Sequence, residues 1–188
     1  MTSCRGGEDG TVENVIILAG PPGAGKTTVA ELLAQRFERS VHLHTDDFWT
    51  FIKRGLVMPY LPESHTQNET VMDVVAGAAA GYAAGGYTVV CDGVMGPWFL
   101  HPFTRRGIPF HYVILRPDVE TTLARATARD PDRYLTDPGP VRDLHAQFAA
   151  QDGYDGYVLD SSGLTADQTA DAVYAAVRDG GHLFKQGR

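Results

Sequence analysis

Short apolar runs at residues 14–19, 41–44, 87–91, 110–115 and 157–159 alternate with longer segments whose apolar positions recur at helical spacing. The first run, Val15-Ile16-Ile17-Leu18-Ala19, is apolar without alternation, the pattern of a strand covered on both faces. Helical segments are predicted at about residues 26–37, 68–84, 119–129, 141–150 and 166–178. The first places Val29, Leu32, Leu33 and Phe37 on one face, and the last does the same with Ala170, Val173, Tyr174 and Val177. The second is built of small residues around Gly77 to Gly81, which suits close backbone packing although each glycine costs roughly 1 kcal/mol relative to alanine. Strands alternating with helices predict an α/β fold, a three-layer α/β/α domain with a five-stranded parallel sheet. No repeat or low-complexity linker divides it. The expected organisation is one domain over residues 13–180, with a flexible tail at 1–12 and a frayed one at 181–188.

Between the first strand and the first helix lies Gly20-Pro21-Pro22-Gly23-Ala24-Gly25-Lys26-Thr27, which fills every fixed position of the phosphate-binding loop pattern G-x-x-x-x-G-K-[ST]. Glycines let successive backbone N–H groups turn toward phosphate oxygens. Lys26 is placed to reach the β and γ phosphates, and the Thr27 hydroxyl to ligate Mg2+. The helix that starts here, with Thr28 next along it, adds its positive N-terminal end. The chain is expected to bind a nucleoside triphosphate, with ATP and Mg2+ as cofactors.

Composition narrows the partners. A 43% hydrophobic and 21% charged chain is globular, and a net charge of −7 argues against a nucleic-acid surface held by clustered cations. The N-terminus lacks an apolar leader core and no run reaches membrane-spanning length, so no membrane partner and a cytoplasmic location are expected. Cys4 and Cys91 form a weak basis for a disulfide, and Cys91 reads as a small buried residue. The oligomeric state is left open.

The chemistry that the loop invites needs a carboxylate to orient or deprotonate an attacking hydroxyl and cations to neutralise phosphates. Asp46 and Asp47 follow the second strand in His44-Thr45-Asp46-Asp47-Phe48-Trp49; Asp46 is the candidate base. If the segment is extended, neighbouring side chains diverge, and Asp47 either meets substrate or caps the following helical turn; capping is also the alternative role for Asp46. Asp92 closes the third apolar run and is placed to hold Mg2+, to stand behind a ligand or to contact the acceptor. Arg125 and Arg129 share a helix face and Arg133 follows, a set able to clamp triphosphate oxygens or to pair with Asp130 and Asp132. His42 and His44 alternate along a strand without cysteines at zinc spacing, so no metal cluster is expected. Two proline-bearing stretches, residues 54–67 and about 130–140, are candidates for a substrate flap and a small lid, or else plain connectors.

Taken with His44 to Trp49, Leu61 to Asn68, Asp92-Gly93-Val94 and Asp143 to Phe148, the loop gives a chain that resembles the small P-loop kinases of the nucleoside-monophosphate-kinase-like group, in particular the chloramphenicol phosphotransferase-like branch. The resemblance runs from Val15 to Val177. It implies transfer of a γ-phosphoryl group from ATP to a hydroxyl of a small molecule, an antibiotic being one candidate. Asp46 matches the family's base, Lys26 and Thr27 its loop lysine and hydroxyl, and Arg129 with Arg133 its lid arginines, so that Asp46, Lys26 and Arg133 form the expected catalytic set. Acceptor contacts are expected from Asp47, Trp49, Tyr60, His65, Gln67, Asn68, Asp92 and Trp98. The segment from Trp49 to Asn68 departs from the chloramphenicol enzyme. Metabolic kinases and nucleotide-sugar toxins therefore stay in view as alternatives, beside a non-catalytic nucleotide switch.

Overall fold

The computed structural model describes residues 15–131 and 135–185. Strands β1 (Val15–Ala19), β2 (Ser40–His44), β3 (Thr88–Gly93), β4 (His111–Leu115) and β5 (Val158–Leu159) form one sheet in the order β2-β3-β1-β4-β5. Every pairing is parallel. The helices are α1 (Lys26–Ala34), α2 (Asp46–Thr50), α3 (His65–Ala84), α4 (His101–Thr104), α5 (Val119–Thr127), α6 (Pro138–Ala149) and α7 (Ala166–Arg178). The expected α/β/α architecture is the one found.

The uninterrupted apolar strands are explained by burial on both sides. On one face Val15, Ile17, Tyr112 and Ile114 pack with Met72, Val75, Ala76 and Ala79 of α3 and with Phe103 and Phe148. On the other, Ile16, Leu18, Val113 and Leu115 pack with Val29 and Leu33 of α1 and with Ala170, Val173 and Val177 of α7. Alternate residues of each strand thus feed two cores. Cys91 belongs to the first, where burial pushes its thiol far above the ordinary range and makes it a packing residue.

Element ends differ from the sequence expectation for local reasons. Helix α1 stops at Ala34, and the chain goes on to Phe37 by tighter turns in which Arg36 N–H donates to Leu33 and Phe37 N–H to Ala34. Helix α3 starts three residues early because the tight turn Pro62–Ser64 leads into it. Residues 138–140, expected in the lid, are the first turn of α6: Asp137 accepts from Gly139 N–H at 2.9 Å, and Pro138 and Pro140 sit where a helix has no N–H to satisfy. Helix α5 ends at Thr127, before Arg129. Strand β3 extends through Asp92 and Gly93, which pair with Leu18 and Ala19 of β1.

The C-terminal segment is a correction. Frayed chain was expected after Gly180, yet the backbone of His182 accepts from Tyr112 N–H at 2.9 Å and Phe184 N–H donates to Phe110 at 2.9 Å. Phe184 stacks on Phe110 with ring centroids 4.9 Å apart. The apolar pair Leu183-Phe184 carries the information that glycines and terminal position obscured. Cys4 and the 1–12 tail lie outside the described residues.

Candidate active site

The carboxyl ends of β1, β2 and β3 open into a cleft of about 890 Å3, where parallel sheets commonly bind ligands. At one end lies the phosphate loop. Gly20 (φ +146°) and Gly23 (φ +85°) hold positive φ, and a Cβ would meet the Leu115 carbonyl at 2.2 Å or the Thr122 carbonyl at 2.3 Å. The loop therefore needs glycine for both conformation and space. Lys26 crosses the loop to donate to the Pro21 carbonyl at 2.9 Å. Burial lowers its ammonium to about 8, against the opposing pull of the Asp46 and Asp92 charges. Pro22 lines the cleft, Ala24 is buried beneath it, and Thr28 is exposed on the first turn of α1.

Thr27 points at β3. Its hydroxyl donates to Asp92 Oδ2 at 2.8 Å, while Asp92 Oδ1 meets His42 Nε2 at 2.7 Å and His44 Nδ1 at 3.0 Å. The Asp92 side chain is fully buried. Burial alone would raise its pKa, but the imidazole and hydroxyl bonds outweigh that and hold it below the usual carboxylate range. The same bond raises His44. Sheet register explains the group: His44 pairs with Asp92 across β2 and β3, and His42 is two residues back on the same face. No metal cluster was expected here, yet the fold brings ligand atoms of His42, His44 and Asp92 within 4.8 Å of one another. Alternation along β2 was visible in the sequence; its partner strand was not.

Asp46 and Asp47 stand in the first turn of α2, so the extended-segment premise fails, and neither caps by its side chain. Asp46 lines the cleft; Asp47 does not. Asp46 Oδ2 lies 3.9 Å from His44 Nε2. Thr45, just before them, is buried against Gly93, where a Cβ would come within 1.9 Å of the Thr45 hydroxyl.

Beyond Asp46 the cleft widens between the 56–68 segment, Trp98 and α6. Trp49, Tyr60, His65, Asn68 and Trp98 line it as expected sites; Leu56, Met58 and Leu61 join them from the expected flap and Leu135 from the expected lid, while Asp143, Leu144 and Gln147 were not expected in it. Asn68 is a structural hub: its carbonyl accepts from Trp49 Nε1 at 2.9 Å and its amide donates to the Pro59 carbonyl at 2.7 Å and to Ser64 Oγ at 2.8 Å. Gln67 stays out of the cleft, clamping both backbone groups of Val57 at 2.7 and 2.9 Å. Trp98 rests on Phe148 of α6, with centroids 5.5 Å apart. A run of prolines and apolar residues is thereby held as a wall.

Of the arginines, Arg129 lines the cleft close enough for its charge to act on Lys26, and Arg125 lies outside the cleft wall with its guanidinium beside Gly25. Arg133 lies outside the described residues. The structure thus brings the loop, Asp46, Asp92, Arg129 and the aromatic wall to one cavity, and leaves Asp47, Gln67 and Thr28 off it.

A family model described as AAA domain matches residues 16–143. The chain belongs to that family. The matched span of the AAA domain runs from β1 through the first half of α6 and includes the whole loop and the described cleft lining except Leu144 and Gln147. No curated protein matches the chain. Among solved structures it is similar to the tunicamycin resistance protein of Deinococcus radiodurans, with 20% identity, TM-score 0.65, 93% of this chain and 99% of that one covered. A sugar kinase from Janibacter sp. aligns at 16% identity and TM-score 0.65, covering 86% and 92%. The shikimate kinase of Acinetobacter baumannii aligns at 23% and 0.56, covering 89% and 94%. This AAA domain therefore has the fold of the P-loop kinases. Among the described residues, no helix is long and apolar enough to cross a membrane.

Proposed function

We propose that the protein is an ATP- and Mg2+-dependent phosphotransferase, of the chloramphenicol phosphotransferase-like kind, that moves the γ-phosphoryl group to a hydroxyl of a small molecule. The observation that carries this reading is a cleft that joins a phosphate loop to an apolar-walled chamber and is lined by the carboxylate of Asp46. In that arrangement Gly20 to Thr27 hold the phosphates, and Lys26 leaves the Pro21 carbonyl for their oxygens. Asp46 accepts the proton as the acceptor oxygen bonds to the γ-phosphorus and the bond to ADP breaks. Arg129 meets the transferring group from the lid side, with Arg133 as its proposed companion. The Thr27 hydroxyl and Asp92 are adjoining oxygen donors that fit Mg2+, and the ion, when bound, neutralises charge on the phosphates.

The walls bear on the acceptor. Among described lining residues the lysine and arginine side chains are Lys26 and Arg129, both at the phosphate end, while the far end presents Leu56, Met58, Leu61, Leu135, Leu144 and Asp143. No lysine or arginine among the described residues lines that end to meet an acceptor carboxylate or phosphate. This supports an uncharged amphipathic alcohol such as an antibiotic over a sugar acid or nucleotide sugar. A similar fold in a protein named for tunicamycin resistance is consistent with that choice.

The test is ATP consumption by purified protein against chloramphenicol, nucleosides, sugar acids and nucleotide sugars, with mass spectrometry for a product heavier by one phosphoryl group. A phosphorylated uncharged alcohol is expected. A phosphorylated nucleotide sugar would move the reading to a toxin-type kinase, and ATP binding without any product would favour a nucleotide switch.

A further inference from the structure

The carboxylate of Asp92 is approached by two imidazoles on the side away from Thr27, an arrangement that the phosphotransfer chemistry does not require. We propose that His42, His44 and Asp92 form a binding site for a zinc-type transition-metal ion, and that its occupancy antagonises the use of Asp92 with Mg2+.

The ligand set is the first argument. Two neutral imidazoles and one carboxylate suit zinc, copper or nickel, whereas Mg2+ prefers oxygens and retained water. Geometry is the second. Ligand atoms of the three residues lie within 4.8 Å of one another, and the two contacts to Asp92 Oδ1 measure 2.7 and 3.0 Å. Two donors at zinc distances of about 2.0–2.1 Å in a tetrahedron stand roughly 3.3 Å apart, so the two contacts to Asp92 need to open by well under 1 Å and the two imidazole nitrogens start from no more than 4.8 Å. Binding removes the proton that each imidazole shares with Oδ1 and puts the ion there instead.

The third argument is the surrounding shell. All three residues stand on neighbouring strands β2 and β3, a rigid base. His44 faces Asp92 with Nδ1, and its Nε2 lies 3.9 Å from Asp46 Oδ2, a carboxylate placed as metal-bound imidazoles often have behind them. The side chains of His42 and His44 keep 19% and 22% exposure, and β2 is the edge strand, so both imidazoles reach solvent although the carboxylate they hold does not. Since Asp92 Oδ2 holds Thr27, an ion on Oδ1 drains charge from the same carboxylate that would help to place Mg2+. Occupancy stands independently of the kinase reading; the antagonism rests on it.

The experiment uses the full chain, stripped with a chelator and free of nucleotide. Cobalt(II) is titrated while visible absorption is followed, and zinc(II) is then added. One cobalt per chain with tetrahedral bands, displaced by zinc and not by millimolar Mg2+, is expected. His42→Gln and His44→Gln each keep a donor for Asp92 and should fold, as circular dichroism will show, yet weaken cobalt binding by about 100-fold or more, beyond the range seen when only a supporting residue is lost. His101→Gln, remote on α4, should bind as before. Zinc should also raise the thermal midpoint of the unmodified chain and not of the two variants. No cobalt spectrum, or binding that survives both replacements, overturns the site. In a transfer assay zinc should raise the Mg2+ concentration needed for half-maximal rate; an unchanged Mg2+ requirement overturns the antagonism while leaving the site.

Discussion

The two ends of the cleft are made in different ways. The phosphate end is contiguous in the chain, eight residues running from the end of β1 into the first turn of α1, and its form is dictated by glycine conformation and by a lysine and a hydroxyl at fixed offsets. The acceptor end is assembled from residues 49–68, Trp98 and Leu135 to Gln147, which meet only through the fold. Its lining is mostly apolar surface held by one amide hub, with His65 and Asp143 among it, so it specifies shape more than charge. A site can therefore announce its nucleotide locally and disclose its acceptor only in three dimensions.

If that division is right, substitutions at the two ends should separate cleanly in kinetics. The largest effect is expected from Lys26→Ala: phosphoryl transfer falls by on the order of 10³-fold, the upper range for a lost charge-stabilising donor, and most ATP affinity goes with it. Calorimetric ATP titration beside turnover checks this, and normal turnover would remove the loop from the mechanism. Asp46→Asn comes next. It should reduce kcat by on the order of 10²-fold with ATP affinity retained, because it removes a proton acceptor and no phosphate contact. An unchanged kcat would pass that role to another group of the cleft.

Asn68→Ala addresses the other end. It leaves Trp49 Nε1 without its acceptor and takes one hydrogen bond each from the Pro59 carbonyl and Ser64 Oγ, which keep their bond to each other at 2.9 Å, a loss of about 1–3 kcal/mol. The expected result is a lowered midpoint in denaturant together with a higher KM for the acceptor and an unaltered one for ATP. Equal rises in both would show that the two ends are one mechanical unit, contrary to the division drawn from their construction.

Legibility in the sequence follows the same division. The strands were readable because burial on both faces leaves an unbroken apolar run, and the loop because backbone chemistry needs specific residues at specific offsets. Gln67 and Asn68 show the limit: both were expected at the acceptor, but Gln67 is spent on the backbone of Val57 and Asn68 on three other partners. Nothing in an amide's spacing says which neighbour will take its hydrogen bonds. His42 and His44 were visible as an alternating pair, and their meaning changed once β3 set Asp92 beside them. Asp143 and Leu144 reach the cleft because α6 folds over it, a placement that helical periodicity alone does not give.

The smallest expected effect lies away from both ends and serves as their control. His111 on β4 and His182 in the C-terminal segment are buried with ring nitrogens that find no partner among the described residues. Burial lowers the pKa of both, and their mutual repulsion lowers His111 further. The folded chain thus binds fewer protons than the unfolded one once pH drops below the ordinary histidine value of about 6.5. By linkage, the stability that these residues permit is complete above that value, is lost as pH falls from it toward the depressed folded-state value, and levels off below. Denaturant unfolding at stepped pH from about 7.5 to 5 should show that slope in the unmodified chain. In His111→Leu, which removes a titrating group without removing a hydrogen bond, the slope should shrink. An unchanged slope would place the acid sensitivity elsewhere, and a change in transfer kinetics with it would mean that the C-terminal latch and the cleft are coupled.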